Sequence, residues 1–470
     1  MPALPDSSTP DQHAAHPHAV LDLHVVIAII VGIVVGAGIF KTPGMVAGLT
    51  GDSSWMFFAW LFGGIISLVG ALCYAELASA YPNAGGDYHF LTRAFGRSLG
   101  LLFAWARFTV ITTGSIALLA FVFGDYLAAM LPVDALGPTL TSALYAALAV
   151  LVLSGVHLAG IRSVARAQVW LTVVQIVGLL LVVLAAFSIA TPVSVPEVVA
   201  ESPASGPSAS AFGLAMVFVL LTYGGWNEAA YVSAEIKQPK RNIVRALMYS
   251  ILLITALYLL VNWAYWRVLG TAGMAQSQAI AADLLAMAFG PVGGTLISLL
   301  VMVTALTTVN ATMIVGARTG YAVGRDWPQL AGLGQWSPDR QVPANALWVQ
   351  CVAALLLIAV GAVTGGGFRA MVEFTSPVFW LFFLLSGVAL LVLRQRDPAT
   401  ERPFRVPLYP VLPLLFCAVC AYMLWSSLSF VYSQSLGGFN AAWIGVVVLL
   451  VGLLLVLCMR PSLQASYSRS

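Results

Sequence analysis

Runs of about 20 residues with almost no charged side chain recur along the whole of this chain, and about 20 apolar residues is what a helix needs to cross a bilayer. Boundaries at Pro, Gly and clustered charges place twelve such runs, at 24–49, 54–80, 99–130, 139–158, 163–190, 211–236, 243–269, 284–322, 344–364, 369–393, 409–431 and 438–459. A soluble domain carries roughly 25% charged residues. Here only 8% are charged and 60% are hydrophobic, too little charge to keep a folded surface of this size in water. The chain therefore reads as an all-α polytopic membrane protein.

The few charges sort by loop. With the N-terminus inside, alternate loops should be cytoplasmic and rich in Lys and Arg. Those loops hold Arg93, Arg97, Arg162, Arg166, Lys237, Lys240, Arg241, Arg245, Arg318, Arg325, Arg340, Arg394, Arg396, Arg402 and Arg405. With Arg460 and Arg469 of the C-terminal tail these make seventeen of the 21 basic residues. The opposite loops carry Asp52, Asp134, Glu197 and Glu201. Both termini are expected inside a cytoplasmic membrane.

Several function classes drop out. The net charge is +3 and the basic residues are scattered, so no basic face for a nucleic acid exists. Cys73, Cys351, Cys417, Cys420 and Cys458 lie in apolar runs, where a thiol acts as a small hydrophobe. No metal site, disulfide framework or cofactor is implied. His89 and His157 stand at helix ends without a nucleophile or metal partner, so an enzyme is not expected. Residues 1–22, polar and without the pattern of a signal peptide, read as a disordered cytoplasmic tail.

Two spans carry glycine clusters in their middles: Gly36-Ala37-Gly38-Ile39-Phe40 in the first and Tyr223-Gly224-Gly225-Trp226-Asn227 in the sixth. Glycine lets a helix leave helical geometry, and within a membrane such unwound backbone survives only inside protein or along a cavity. The clusters occupy matching positions of two five-span units, the sequence pointer to a transporter site at a repeat interface. A half-helix N-terminus offers N–H groups to a carboxylate, and a half-helix C-terminus offers carbonyls to an ammonium. A free amino acid carries both groups. Either cluster alone could serve only close helix packing.

With Tyr74-Ala75-Glu76-Leu77, the run Tyr81-Pro82-Asn83-Ala84-Gly85-Gly86-Asp87-Tyr88, the segment Lys237-Gln238-Pro239-Lys240-Arg241-Asn242-Ile243, and Ala317-Arg318-Thr319-Gly320-Tyr321-Ala322, the two clusters resemble the amino acid–polyamine–organocation superfamily of transporters. The sixth-span motif is most similar to bacterial relatives of the L-type amino acid transporters. The resemblance implies the leucine-transporter-type fold, a 5+5 inverted repeat (23–393) with discontinuous helices 1 and 6. Two accessory helices (394–460) and a short tail (461–470) would follow it. It implies a substrate site around Val34, Gly36, Ala37, Gly38, Ile39, Leu221, Gly224, Gly225, Trp226 and Asn227. The carboxylate would meet the backbone at Gly36, Ala37 and Gly38, the ammonium would meet carbonyls near Val34, Leu221 and Gly224, and Trp226 would close over the substrate. The chain departs from the family at three points. Gln175 stands where sodium-independent relatives often carry Lys, Ala37 replaces a small polar residue, and the loop around Leu131-Pro132-Val133-Asp134 lacks the Cys that would bond an accessory glycoprotein.

Ionisable residues inside spans cost about 2.5–3.5 kcal/mol each on insertion scales, so each needs a role. Glu228 could couple to protons, contact a substrate amine or pair with Arg107 of the third span. Pairing leaves a neutral pocket suited to neutral amino acids. Lys41 could form an outer gate with Glu373, or reach the headgroups. Glu76 and Asp326 are expected to pair with loop arginines. Thr304, Thr307 and Thr308 line the region where relatives of this fold hold sodium, although Thr is also helix–helix glue. The expected function is alternating-access transport of small neutral amino acids, by proton symport or exchange. Transport of cationic amino acids or amines, and nutrient sensing, are the alternatives.

Overall fold

The computed structural model describes residues 19–40, 42–189, 206–277, 280–364, 367–432, 435–436, 439–440 and 442–459, with the backbone alone at 37, 209–210, 360, 363–364, 367–376, 430–432, 435–436, 439–440, 442–446 and 448. Residues 1–18 and 461–470 of the expected tails, residues 190–205, Lys41 and the side chain of Glu373 lie outside this set, whereas residues 19–22 of the expected N-terminal tail lie within it.

The described chain is helical except for a two-residue antiparallel ladder, Ser435–Leu436 against Phe439–Asn440, and two isolated bridges. The helices are α1 (Leu23–Val34), α2 (Thr42–Thr50), α3 (Ser53–Ala80), α4 (Asp87–Phe95), α5 (Arg97–Ala106), α6 (Thr113–Met130), α7 (Gly137–Leu158) and α8 (Ile161–Ser188). They continue as α9 (Ala209–Thr222), α10 (Pro239–Gln276), α11 (Ile280–Phe289), α12 (Pro291–Asp326), α13 (Ala344–Thr364), α14 (Gly367–Arg396), α15 (Val411–Tyr432) and α16 (Ala442–Cys458). In hydrocarbon a backbone must satisfy its own N–H and C=O groups, which is why so apolar a sequence becomes helix. Among the described residues eight helices are long and apolar enough to cross a membrane, among them α3, α7, α8, α10 and α12.

The surface agrees with that solvent. Trp170, Val173, Val177, Leu181, Leu184 and Phe187 lie exposed on one face of α8, while Gln168, Thr172 and Gln175 of the same helix are buried. Apolar residues face out and polar residues face in. At the centre stands α1, packed by α8, α10 and α12 and by a 3₁₀ segment, Trp226–Glu235.

One expected boundary is wrong. The run 284–322, read as a single span, is two helices, α11 and α12. Gly290 takes φ +60° and Pro291 follows as the first residue of α12, and a proline cannot donate the bond that would continue α11. The third span also holds a feature without periodicity signal: Arg107–Thr112 forms a π turn between α5 and α6. Hydroxyls compensate the loosened carbonyls, with Thr109 donating to Trp105 O at 2.8 Å, Ser115 to Ile111 O at 2.6 Å, and Thr113 to Phe108 O.

Candidate substrate site

The two glycine clusters break their helices and meet. α1 ends at Val34, Val35 leaves helical geometry, and a 3₁₀ turn follows at Ala37–Phe40. α9 ends at Thr222, and Gly225 at φ +110° starts the 3₁₀ segment. That left-handed conformation costs a side-chain-bearing residue heavily. Space is equally restrictive: a Cβ on Gly225 would lie 2.5 Å from the Ile33 side chain, and one on Gly38 3.1 Å from Thr222. The breaks are in van der Waals contact.

Their carbonyl ends converge on one hydroxyl. Tyr258 of α10 places its Oη 2.8 Å from Val34 O and 3.0 Å from Thr222 O. Gly36 N–H also donates to Val34 O at 2.7 Å, and Gly224 N–H to Leu221 O at 3.1 Å. Two of the three carbonyls expected to receive an ammonium, Val34 O and Leu221 O, are thus capped in this conformation, Val34 O twice. The first N–H groups of the Ala37–Phe40 turn have no acceptor within that turn. Buried side chains hold the broken α1 from behind. Gln175 donates to Val35 O, Thr308 to Gly32 O at 2.9 Å, and Gln168 and Thr172 to Ala28 O at 3.2 and 3.0 Å. Thr307 instead bonds its own helix at Val303 O, and the Thr304 hydroxyl has no partner. Asn310 links Gln168 to His157 at 2.8 and 3.0 Å.

Arg107 and Glu228 pair. The guanidinium grips the carboxylate through both Nη atoms, the Nη1–Oε1 bond being 3.0 Å, and its Nε donates to Thr319 at 3.0 Å. Its Cζ lies 3.8 Å above the Tyr231 ring. Beside this pair stands a residue the sequence reading left unassigned. Asp87, the first residue of α4, is buried and accepts hydroxyls from Tyr74 (2.5 Å), Ser386 (2.6 Å) and Tyr231 (2.8 Å). Those donors come from α3, α14 and the 3₁₀ segment. The only sequence signal was its position in the Gly85-Gly86-Asp87-Tyr88 motif. Among the described residues no ion pair includes Asp87.

Asp87, Arg107 and Asn227 line a cavity of about 10 Å³ with Tyr74, Phe382 and Phe383, close to the minimum for one water. Asn227 Oδ1 is buried without a partner. Trp226 turns elsewhere: its ring packs 5.3 Å from Tyr74 and 5.2 Å from Phe383. A Cβ on Gly70 would lie 2.6 Å from it, so the ring fills a slot that residue 70 leaves open. In this conformation it is a wall of the bundle, not a lid.

The end of the bundle that carries the basic residues is tied shut. Val20 and Leu21 N–H donate to Glu235 O and Lys237 N–H to Leu21 O, all at 2.9 Å. Glu235 itself pairs with Arg318, both buried. Glu76 takes Arg394 through both oxygens at 2.7 and 2.6 Å, with Arg402 at 3.4 Å, as expected of it. Asp326 departs from expectation: it accepts the Tyr88 hydroxyl at 2.6 Å in place of an arginine.

A multi-pass helical membrane protein with two broken helices meeting at a closed centre is built as a transporter. The chain belongs to the amino acid permease family, whose model matches residues 21–457, within the amino acid–polyamine–organocation superfamily. It is 29% identical to the b(0,+)-type amino acid transporter 1 of Mus musculus over 398 residues, 85% of this chain and 80% of that protein. It is 27% identical to the serine/threonine exchanger SteT of Bacillus subtilis, over 86% of this chain and 89% of that one. With the large neutral amino acids transporter small subunit 2 of Mus musculus it shares 30% identity, over 85% and 75% of the two chains.

Proposed function

We propose that this protein exchanges small neutral amino acids across the cytoplasmic membrane by alternating access. It would do so with twelve spans, a 5+5 inverted repeat over 23–393 and both termini cytoplasmic. The observation that carries the reading is the contact between the two broken helices, with carbonyl ends converging on the Tyr258 hydroxyl and the first N–H groups of the Ala37–Phe40 turn without an acceptor within it. In the loaded state the substrate carboxylate takes the N–H groups at Gly36, Ala37 and Gly38. Its ammonium displaces the internal caps on Val34 O and Leu221 O, and Asn227 Oδ1, unpartnered here, faces the side chain.

Two features favour exchange over ion-driven uptake. Glu228 is held by Arg107 through both oxygens, so it is not a free proton carrier. Gln175, uncharged, sits on Val35 O and supplies no charge that could stand in for a coupling ion. The name of the Bacillus relative, an exchanger, points the same way.

Asp87 favours a second reading. A buried carboxylate on the cavity with no ion pair of its own among the described residues could receive the side-chain charge of a cationic amino acid. Purified protein in liposomes separates the two. Uptake of labelled neutral amino acids that requires internal amino acid and ignores a proton gradient supports the first. Selective uptake of cationic amino acids, lost in Asp87→Asn, replaces it with the second. Binding without movement would make the protein a sensor and end both.

A further inference from the structure

A cavity of about 310 Å³ lies to one side of the substrate centre, between α5 with its π turn, α12, α13 and the end of α16. Its floor is one face of α12, Gly316, Thr319, Gly320 and Val323, spaced as a single helical stripe. The cavity exists because its flanking helices do not close on each other. α16 packs against α5 and α14, whereas α13 packs against α6, α7 and α12. Both present exposed apolar faces beside the opening, Trp348 and Val352 on one and Leu454 and Leu457 on the other.

We propose that this slot holds one acyl chain of a membrane phospholipid from the leaflet at the basic end. Depth is the first argument. The slot runs inward from Leu101, near the start of α5, to Thr112 at the end of the π turn. Eleven residues of helix from Leu101 to Thr112 rise about 16 Å, about half of the roughly 30 Å hydrocarbon core. The slot is one leaflet deep. Chemistry is the second. Its walls are Leu101, Ala104, Phe108, Val349 and Leu455, and its one charged group, Arg107, is committed to Glu228 and Thr319. A polar ligand would find no free charge there, and an acyl chain needs none. The third argument is the mouth. Leu330, Leu333 and Val349 also line an open groove of about 540 Å³ that includes Gln329 and Asn345. Apolar slot and polar shelf together match a tail and a headgroup.

The chain would lie against the back of the π turn whose Arg107 side chain also lines the small cavity at Asn227. Lipid occupancy is thereby linked to the substrate centre through one residue.

The test uses the full-length protein in nanodiscs with a phospholipid carrying a diazirine at the end of one acyl chain, with labelled positions mapped by mass spectrometry. Labelling should concentrate several-fold on the 101–112 and 346–350 segments relative to Leu180 and Leu184 of α8. Val349→Trp, at the mouth, should cut slot labelling at least fivefold while substrate still raises the melting temperature; Leu333→Trp repeats the block should the first variant fail to fold. Labelling spread evenly over all lipid-facing helices, or unchanged in a folded mouth variant, overturns the proposal. So does slot labelling by a diazirine fatty acid but not by the phospholipid.

Discussion

At the scale of single residues the centre turns on three groups whose loss has different costs. Tyr258 supplies one hydroxyl to two buried carbonyls. Tyr258→Phe leaves Val34 O with its Gly36 bond but removes the shared donor, a loss of about 1–3 kcal/mol for a group left unsatisfied. Exchange in liposomes should slow about tenfold with the protein still folded; an unchanged rate would mean that the shared hydroxyl is incidental. Gly225→Ala is harsher, since it combines φ +110° with a 2.5 Å approach to Ile33. It should abolish exchange, and full activity would show that the second break is not where it is placed. For Arg107 and Glu228 the sign is the point. Glu228→Gln strands a buried guanidinium, a loss of about 3–5 kcal/mol, whereas Arg107→Met with Glu228→Gln together removes both charges and should recover much of the lost melting temperature. Failure of the double variant to recover would show that the pair does more than neutralise itself.

At the scale of elements, what was legible in the sequence and what was not divide along physical lines. The breaks could be read because glycine leaves a mark wherever backbone must leave a helix, and Gly36–Gly38 and Gly224–Gly225 do so in matched places. The pairing of Arg107 with Glu228 could be weighed because two opposite charges among apolar spans have few other partners. The π turn could not be read, because Arg-Phe-Thr-Val-Ile-Thr has no composition that separates it from α-helix. Nor could the junction at Asp87, where donors from α3, α14 and the Trp226–Glu235 segment meet on α4. The sequence distances between them carry no sign of the contact. This junction makes a specific expectation. Opening the basic end must part Tyr231 from Asp87, since Tyr231 belongs to the broken helix and Asp87 to the loop helix. Asp87→Ala removes the acceptor of three hydroxyls and should bias the protein toward the state open at that end. Cysteines placed on the Tyr231 side of the closure should then react faster with a membrane-impermeant thiol reagent added from the basic side. No change in reactivity would reduce Asp87 to a packing role.

At the scale of the whole molecule, the basic end is held by two kinds of ion pair that respond differently to solution conditions. Arg318–Glu235 is buried on both sides and Glu76 is buried under Arg394 and Arg402, so salt reaches them little. Lys237–Asp22 and Lys240–Glu401 are exposed, and exposed pairs contribute little and are screened. Arg93–Asp397, at 2.7 Å, lies between these extremes. Partial burial raises the pKa of the Asp397 carboxyl, but the hydrogen bond and charge of Arg93, aided by Tyr81 and Arg402, outweigh it and hold it below the usual aspartate value. A carboxyl lowered on folding stabilises the fold above its unfolded pKa, about 3.9, and loses that contribution as pH falls through the folded value. Throughout pH 5.5–8 the Asp397 contribution is therefore complete and constant. Asp397→Asn should lower the melting temperature by the same small amount at pH 5.5 and pH 8, less in 1 M salt, and should leave the shape of the exchange pH profile unchanged. A loss that grows toward pH 8 would require another titrating group to hold this end of the protein. The closure would then answer to pH through that group rather than through Asp397.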